Sequence, residues 1–362
     1  MMSNEDSILI FEYFTASGEK DKCIISEAEA LIFNLLDDLK DYNLTLVIDK
    51  SYEDLIGEYE NVNPILIEEN LIDWLENNAT KYKKAIFIAA ENDNNLYNIS
   101  KILEDNNVET YNSSAEACSI SSNKFKTYES LFNIVPQPRS FKIKIDPKGY
   151  WKRAIDNLYK KWKSEDPLSS FKIILKPLNG VDCEDIVILE DIDDLSYDLE
   201  KIFPPGSRIL VQDYIEGIDV SVSLLCDGRN AIPICLNEQF VELKNDRGTY
   251  LGGRSPFTSK HKDEAFEMAI KACESVEGLK GFVGVDLKIN TDNEHIYDVY
   301  FLELNSRFTT PYVGLKQIVN FNIGKSIIEM IDGKIDIGDI DVSLDGVVEF
   351  KKLKNSLNIR RL

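Results

Sequence analysis

Basic residues are scarce in this chain: 41 Lys and Arg stand against 63 Asp and Glu, a net charge of −22. A surface of that sign repels a phosphate backbone, which argues against nucleic acid as a partner. Any anionic ligand must then be met by individually placed lysines and arginines. Histidine occurs only twice, and the six cysteines (Cys23, Cys118, Cys183, Cys226, Cys235 and Cys273) form no C-x-x-C pair. A zinc site is therefore not expected, and the thiols read as scattered, reduced residues of a cytoplasmic protein. No apolar run approaches the length of a membrane span, so no membrane partner is expected. Met1 to Ser7 is acidic and lacks the basic segment that opens a signal peptide. No G-x-G-x-x-G follows the first predicted strand, so a dinucleotide is not indicated. There is no internal repeat and no low-complexity tract.

What is present reads first as alternating strands and helices. Ser7–Phe14 predicts a strand, and residues 26–40 predict a helix. There Ala28, Leu31, Ile32, Leu35, Leu36 and Leu39 recur at helical spacing on one face. Further strands are expected over 44–48 and 85–90, and a helix over 94–105. This alternation implies parallel βαβ units, an open Rossmann-like α/β domain covering residues 1–121. Ser113 and Glu116 suggest a capping box, and Ser122 a cap for a helix over 123–133 that stops before Pro136 and Pro138. The domain boundary is placed here.

Beyond it, helices are expected over 148–163, 191–201 and 260–276, and a final one over 312–331. Strands are expected over 171–176, 186–189, 208–214, 219–226, 231–235, 282–289 and 296–304. Residues 332–362 read as charged and irregular, an extension of unassigned role.

Chemistry concentrates in a few segments. In Phe301-Leu302-Glu303-Leu304-Asn305-Ser306-Arg307, strand alternation puts Glu303, Asn305 and Arg307 on one face and the leucines on the other. The strand before it carries Asp286 among aliphatic residues. If the two pair as a hairpin, Asp286 reaches the same face, and two carboxylates with an amide oxygen suit Mg²⁺. The bland alternative is a Glu303–Arg307 salt bridge at a domain edge.

Lys176 ends an apolar strand before a loop containing Gly180, a place from which an ammonium can reach a triphosphate. Gln212, Asp213, Tyr214 and Ile215 precede a glycine turn and Asp219, which by itself reads first as an ordinary hairpin and second as an adenine and ribose contact. Lys124 opens a helix. Gln239, then Gly252, Gly253 and Arg254, suggest a loop over 239–256 that closes on a ligand.

In this order the segments resemble the ATP-grasp superfamily from about Ser121 to about Ile331. The resemblance implies a Rossmann-like domain followed by a two-lobed ATP-grasp domain over 122–331, with a small lobe near 137–210 and a large lobe near 211–331. It implies ATP bound by Lys124, Lys176, Gly180, Gln212, Asp213, Tyr214, Ile215, Asp219 and Gln239. It also implies Mg²⁺, two ions or Mn²⁺ in their place, on Asp286, Glu303 and Asn305. Arg307 would stabilise the transferred phosphoryl group, and Arg307 or Arg254 the tetrahedral oxyanion.

Phe11-Glu12-Tyr13-Phe14 and Leu236-Asn237-Glu238-Gln239 resemble the archaeal tyramine–L-glutamate ligases of methanofuran biosynthesis. Those enzymes join the γ-carboxylate of glutamate to tyramine. Glu12 and Tyr13 end the first strand, where open α/β sheets place ligands, and are the candidate amine contacts, with packing the plainer reading of Tyr13. Small-molecule acid and amine partners follow, with a homodimer as the default assembly.

The loop after Lys176 departs from the family pattern, with one glycine and three acids, Asp182, Glu184 and Asp185. Two alternatives therefore stay open: a ligase for another acid–amine pair, and a nucleotide-binding regulator without turnover. A bicarbonate-dependent carboxylase is disfavoured, because the chain carries no biotinyl-lysine signature.

Overall fold

The computed structural model describes residues 7–57, 59–165, 171–179, 185–191, 195, 199–244, 247–291, 296–354 and 356–362. Three sheets organise them. The first is parallel and five-stranded, in the order β3-β2-β1-β4-β5. Its strands are β1 (Ile8–Glu12), β2 (Leu44–Asp49), β3 (Val62–Ile67), β4 (Lys84–Ile88) and β5 (Glu109–Thr110). Every residue of β1 is buried, as the centre of a sheet covered on both faces requires. The helix Lys22–Asp38 buries Ala28, Leu31, Ile32, Leu35 and Leu36 against it. That helix starts four residues earlier than its apolar period predicts, because Asp21 caps it by accepting from the Cys23 N–H.

β1 also ends sooner than expected. The Glu12 carboxylate accepts from the N–H groups of Phe14 and Thr15, at 3.0 and 2.8 Å, and turns Tyr13–Ala16 into a short helix. β3 and the helix Leu71–Asn78 were not foreseen. β3 is an edge strand carrying Pro64, tolerated only where one side of the strand needs no partner.

The second sheet is antiparallel and four-stranded, in the order β6-β9-β7-β8. It comprises β6 (Ser140–Lys144), β7 (Ile173–Pro177), β8 (Val187–Leu189) and β9 (Arg208–Asp213), with the helix Tyr150–Glu165 packed on one face. β6 was not expected from the sequence. Of the helix expected over 191–201, the described residues show only the turn Leu199–Ile202.

The third sheet is antiparallel and seven-stranded, in the order β14-β13-β10-β11-β12-β15-β16. Its strands are β10 (Gly217–Asp227), β11 (Ala231–Lys244), β12 (Arg247–Ser255), β13 (Lys280–Asn290), β14 (Val299–Asn305), β15 (Val348–Leu353) and β16 (Ser356–Arg361). Several expectations are corrected here. The segment taken for a closing loop is the long hairpin β11–β12. Its glycines permit close approach rather than motion: a Cβ on Gly252 would lie 2.1 Å from the Phe350 carbonyl oxygen, and one on Gly253 2.3 Å from that of Glu238.

The C-terminal residues, read as irregular, supply β15 and β16. Val348 and Phe350 on β15 are fully buried. The expected final helix is two helices, Pro311–Leu315 and Ile323–Ile331, the second capped by Asn322. The caps expected at Ser113 and Ser122 belong to their neighbours Ser114 and Asn123. Among the described residues, no helix is long and apolar enough to cross a membrane.

Candidate active site

The four- and seven-stranded sheets face each other across a cleft lined by residues of β7, β8 and β9 on one side and β10 to β14 on the other. Its centre is the β13–β14 pair, where Asp286 lies directly opposite Glu303 and Gly284 opposite Asn305. The hairpin expected from the sequence is present, with one difference. Between Asp286 and Leu287 the register shifts, so Leu302 is an extra residue on β14. Such a bulge re-aims side chains, and Leu302 lines the cleft beside Glu303 instead of pointing away.

Asp286 accepts from the amide nitrogens of Gln239 and Asn305, each at 2.9 Å. Burial first, and the adjacent Glu303 charge second, push its carboxyl up to about 7. The fold has placed two half-buried acids side by side on the cleft lining with an amide attached. That donor set fits a hard divalent cation, whose charge would favour the ionised form of Asp286.

The sequence-predicted cations converge on the same place. The Lys124 ammonium donates to Glu303, 179 residues away, and only 9% of its side chain is exposed. The Lys124 backbone N–H bonds the Leu178 carbonyl at 2.9 Å, tying the start of its helix to the loop after β7. Lys176 donates to Gln212 Oε1 at 2.9 Å, and Gln212 donates in turn to Ser140 Oγ at 2.9 Å.

Farther along the cleft, Ile174, Ile188 and Ile215 provide apolar walls near Tyr214. Asp213 is paired to Arg139 at 2.5 Å. Asp219 is held by Lys288 at 2.7 Å, and the Lys288 ammonium lies 5.7 Å from the Tyr214 ring centre. Gly180, Asp182, Cys183 and Glu184 lie outside the described residues.

Arg307 lines the cleft, and its Nε donates to Glu91 Oε2 at 2.7 Å. Glu91 follows the C-terminal end of β4, is buried, and has its second oxygen, Oε1, without a hydrogen-bond partner. The Rossmann-like sheet thus fixes the arginine of the cleft.

Two expectations are not brought together with the rest. Arg254 does not line the cleft; it pairs with Glu238 at 2.6 Å across β11–β12, with 42% of its side chain exposed. Glu12 and Tyr13 also lie outside the cleft lining. Both Glu12 oxygens are engaged by backbone N–H groups, and burial pushes its carboxyl up to about 7.

The structure adds Lys288, Glu91, Tyr250, Glu27 and Thr310. Only Lys288 left a signal in the sequence: it stands two residues after Asp286 in an apolar strand, hence on the same face. The others depend on partners more than sixty residues away.

The chain is similar to known proteins. The chain matches the ATP-grasp domain family over residues 121–311. It is 31% identical over 316 residues to the tyramine--L-glutamate ligase of Methanocaldococcus fervens, covering 85% of this chain and 89% of that one. To the enzyme of the same name from Methanocaldococcus jannaschii it is 30% identical over 318 residues, covering 85% and 84%. Among solved structures it is similar to an ATP-grasp superfamily protein from Archaeoglobus fulgidus. The TM-score there is 0.69 at 23% identity, over 98% of this chain and all of that one.

Proposed function

This chain belongs to the ATP-grasp family, and on that premise we propose that it is an ATP-dependent carboxylate–amine ligase joining the γ-carboxylate of L-glutamate to tyramine through an acyl phosphate, with release of ADP and phosphate. The observation that carries this reading is the direct opposition of Asp286 and Glu303, with Asn305, Lys124, Lys176 and Arg307 on one cleft. The names of the two Methanocaldococcus relatives support the choice of acid and amine.

A carboxylate and an amine form a salt in water, not an amide. Phosphorylation gives the carboxylate a leaving group. One carboxylate oxygen attacks the γ-phosphorus of ATP, the β–γ bond breaks, and ADP departs. The amine nitrogen then attacks the acyl carbon and phosphate leaves. The substrate ammonium has by then released one proton to solvent, and the second nitrogen proton leaves with the phosphate.

No side-chain nucleophile is required, because phosphoryl transfer is catalysed chiefly by positioning and charge stabilisation. The isoleucines near Tyr214 would cover the adenine, and Asp219 would meet the ribose. Lys124 and Lys176 would leave their present acceptors for phosphate oxygens. Arg307, held by Glu91, would face the transferring phosphoryl group and then the oxyanion. Asp286, Glu303 and Asn305 would hold Mg²⁺, two ions or Mn²⁺ in their place, which neutralises phosphate charge when bound. Arg254, committed to Glu238, has no step here.

Incubation with ATP, Mg²⁺, glutamate and tyramine, followed by mass measurement of the product, tests the proposal. ADP and the γ-glutamyl amide should form in equal amounts and only when all components are present. ADP release that ignores both acid and amine would overturn it.

A further inference from the structure

At the end of the cleft beyond Arg307, three distant segments meet. Glu27 comes from the helix Lys22–Asp38, Thr310 follows β14, and Lys352 lies on β15. Glu27 and Thr310 both line the cleft. The Thr310 hydroxyl donates to Glu27 Oε1. Glu27 Oε2 receives the Lys352 ammonium at 2.6 Å, and that ammonium lies 5.2 Å from the ring centre of Tyr250, another cleft residue.

We propose that Glu27 and Lys352 form the subsite for the α-amino-acid head of the acid substrate, Glu27 taking its α-ammonium and Lys352 its α-carboxylate. This rests on the ligase reading above and adds to it the residues that choose the acid.

The argument is one of chemical match. An acid whose side-chain carboxylate is phosphorylated near Arg307 must carry its other polar groups somewhere. For an amino acid those groups are one cation and one anion on the same carbon. A lone acidic residue would suit a simple amine, and a lone lysine a dicarboxylate. A carboxylate on the cleft lining with an ammonium paired to it suits a zwitterion.

The pair is also suited to opening. About a fifth of each side chain is exposed, 20% for Lys352 and 19% for Glu27. Neither charge can be left alone in so buried a place without cost, so an incoming head group replaces each partner with its own opposite charge. The Thr310 hydroxyl, three residues past Arg307, would keep the Glu27 carboxylate oriented meanwhile. In a protein of net charge −22, an anionic head needs a cation placed for it. The subsite also gives the C-terminal strands a role: β15 extends the large sheet and brings Lys352 against the cleft residues Glu27 and Tyr250.

The test compares the amino acid that the parent protein turns over with two counterparts, one lacking the α-amino group and one lacking the α-carboxylate. For glutamate these are glutarate and γ-aminobutyrate. The variants are Glu27→Gln, Lys352→Met and Lys352→Arg, each checked for parental melting behaviour.

Loss of one charge-assisted contact should lower kcat/KM for the intact amino acid on the order of 10- to 100-fold, mainly through KM. Glu27→Gln should abolish the preference for glutamate over glutarate while leaving that over γ-aminobutyrate. Lys352→Met should do the reverse, and Lys352→Arg should restore the parental ratios. Unchanged ratios in the variants, or a uniform loss on all three acids, would overturn the subsite and leave an ordinary ion pair. A parent that turns over only acids without an α-amino head would also overturn it. A parent that makes no amide from any acid instead defeats the ligase reading, so the two failures are told apart.

Discussion

Asp286 and Glu303 face each other across β13 and β14, and burial together with the Glu303 charge makes Asp286 harder to ionise. Stability alone would not select such a pair in a buried setting, whereas a cation-binding site needs it. Replacing Glu303 by Gln keeps shape and hydrogen bonding but removes one of the two charges. The rate of ADP formation with both substrates should fall on the order of 10²–10³-fold or more, with parental circular dichroism; near-parental turnover would refute the metal assignment.

Glu12 offers a second check. Its folded pKa of about 7 lies above the ordinary 4.5, so the fold prefers the neutral acid. Its contribution to stability is complete below about pH 4.5 and is lost as the pH rises through 7. The amount at stake is on the order of 3 kcal/mol, and the dominant cause is burial. Denaturant midpoints of the parent should therefore drop between pH 5 and 7.5 more steeply than those of Glu12→Gln. Parallel curves would show that the carboxyl titrates normally.

Among individual residues, Asp286, Glu303, Asn305 and Arg307 were legible because strand alternation fixes which side chains share a face. Glu27 and Glu91 were not. Their significance comes entirely from Thr310 and Arg307, which reach them only through the tertiary fold.

At the scale of elements, amphipathic periods carried most of the information. The Lys22–Asp38 helix and the β13–β14 hairpin follow directly from where apolar residues recur. Misreadings came from signals with two physical meanings. Gly252 and Gly253 suggest a mobile loop, but a glycine also fits where two strands press together. Gly252 has φ +127° and no room for a Cβ beside Phe350. Gly252→Ala should therefore destabilise the protein by about 3 kcal/mol or more in equilibrium unfolding; a change within half a kilocalorie would contradict the crowding argument.

The stretch over 312–331 is apolar enough to read as one helix, yet Asn322 starts a second. β15 does alternate, with Val348 and Phe350 inward, but the charges around it masked the pattern. The Leu302 bulge left no trace in the sequence, because a one-residue register shift changes no composition.

For the molecule as a whole, the parallel α/β domain was readable from strand–helix order and its end from the prolines near 136–138, while the two lobes beyond came from the family resemblance. How those parts cooperate was not readable. The Rossmann-like sheet supplies Glu91 to hold Arg307, and its helix supplies Glu27 to the cleft, while the C-terminal strands extend the large sheet and bring Lys352 to Glu27. A site assembled from segments hundreds of residues apart has no local signature.

The claim that this assembly performs acyl-phosphate chemistry is tested most directly by following oxygen. Glutamate carrying heavy oxygen in its γ-carboxylate should be incubated with ATP, Mg²⁺ and tyramine, and the released phosphate examined by mass. If the carboxylate attacks ATP, each phosphate formed carries one labelled oxygen and the amide keeps the other. Unlabelled phosphate accompanying amide formation would contradict the account.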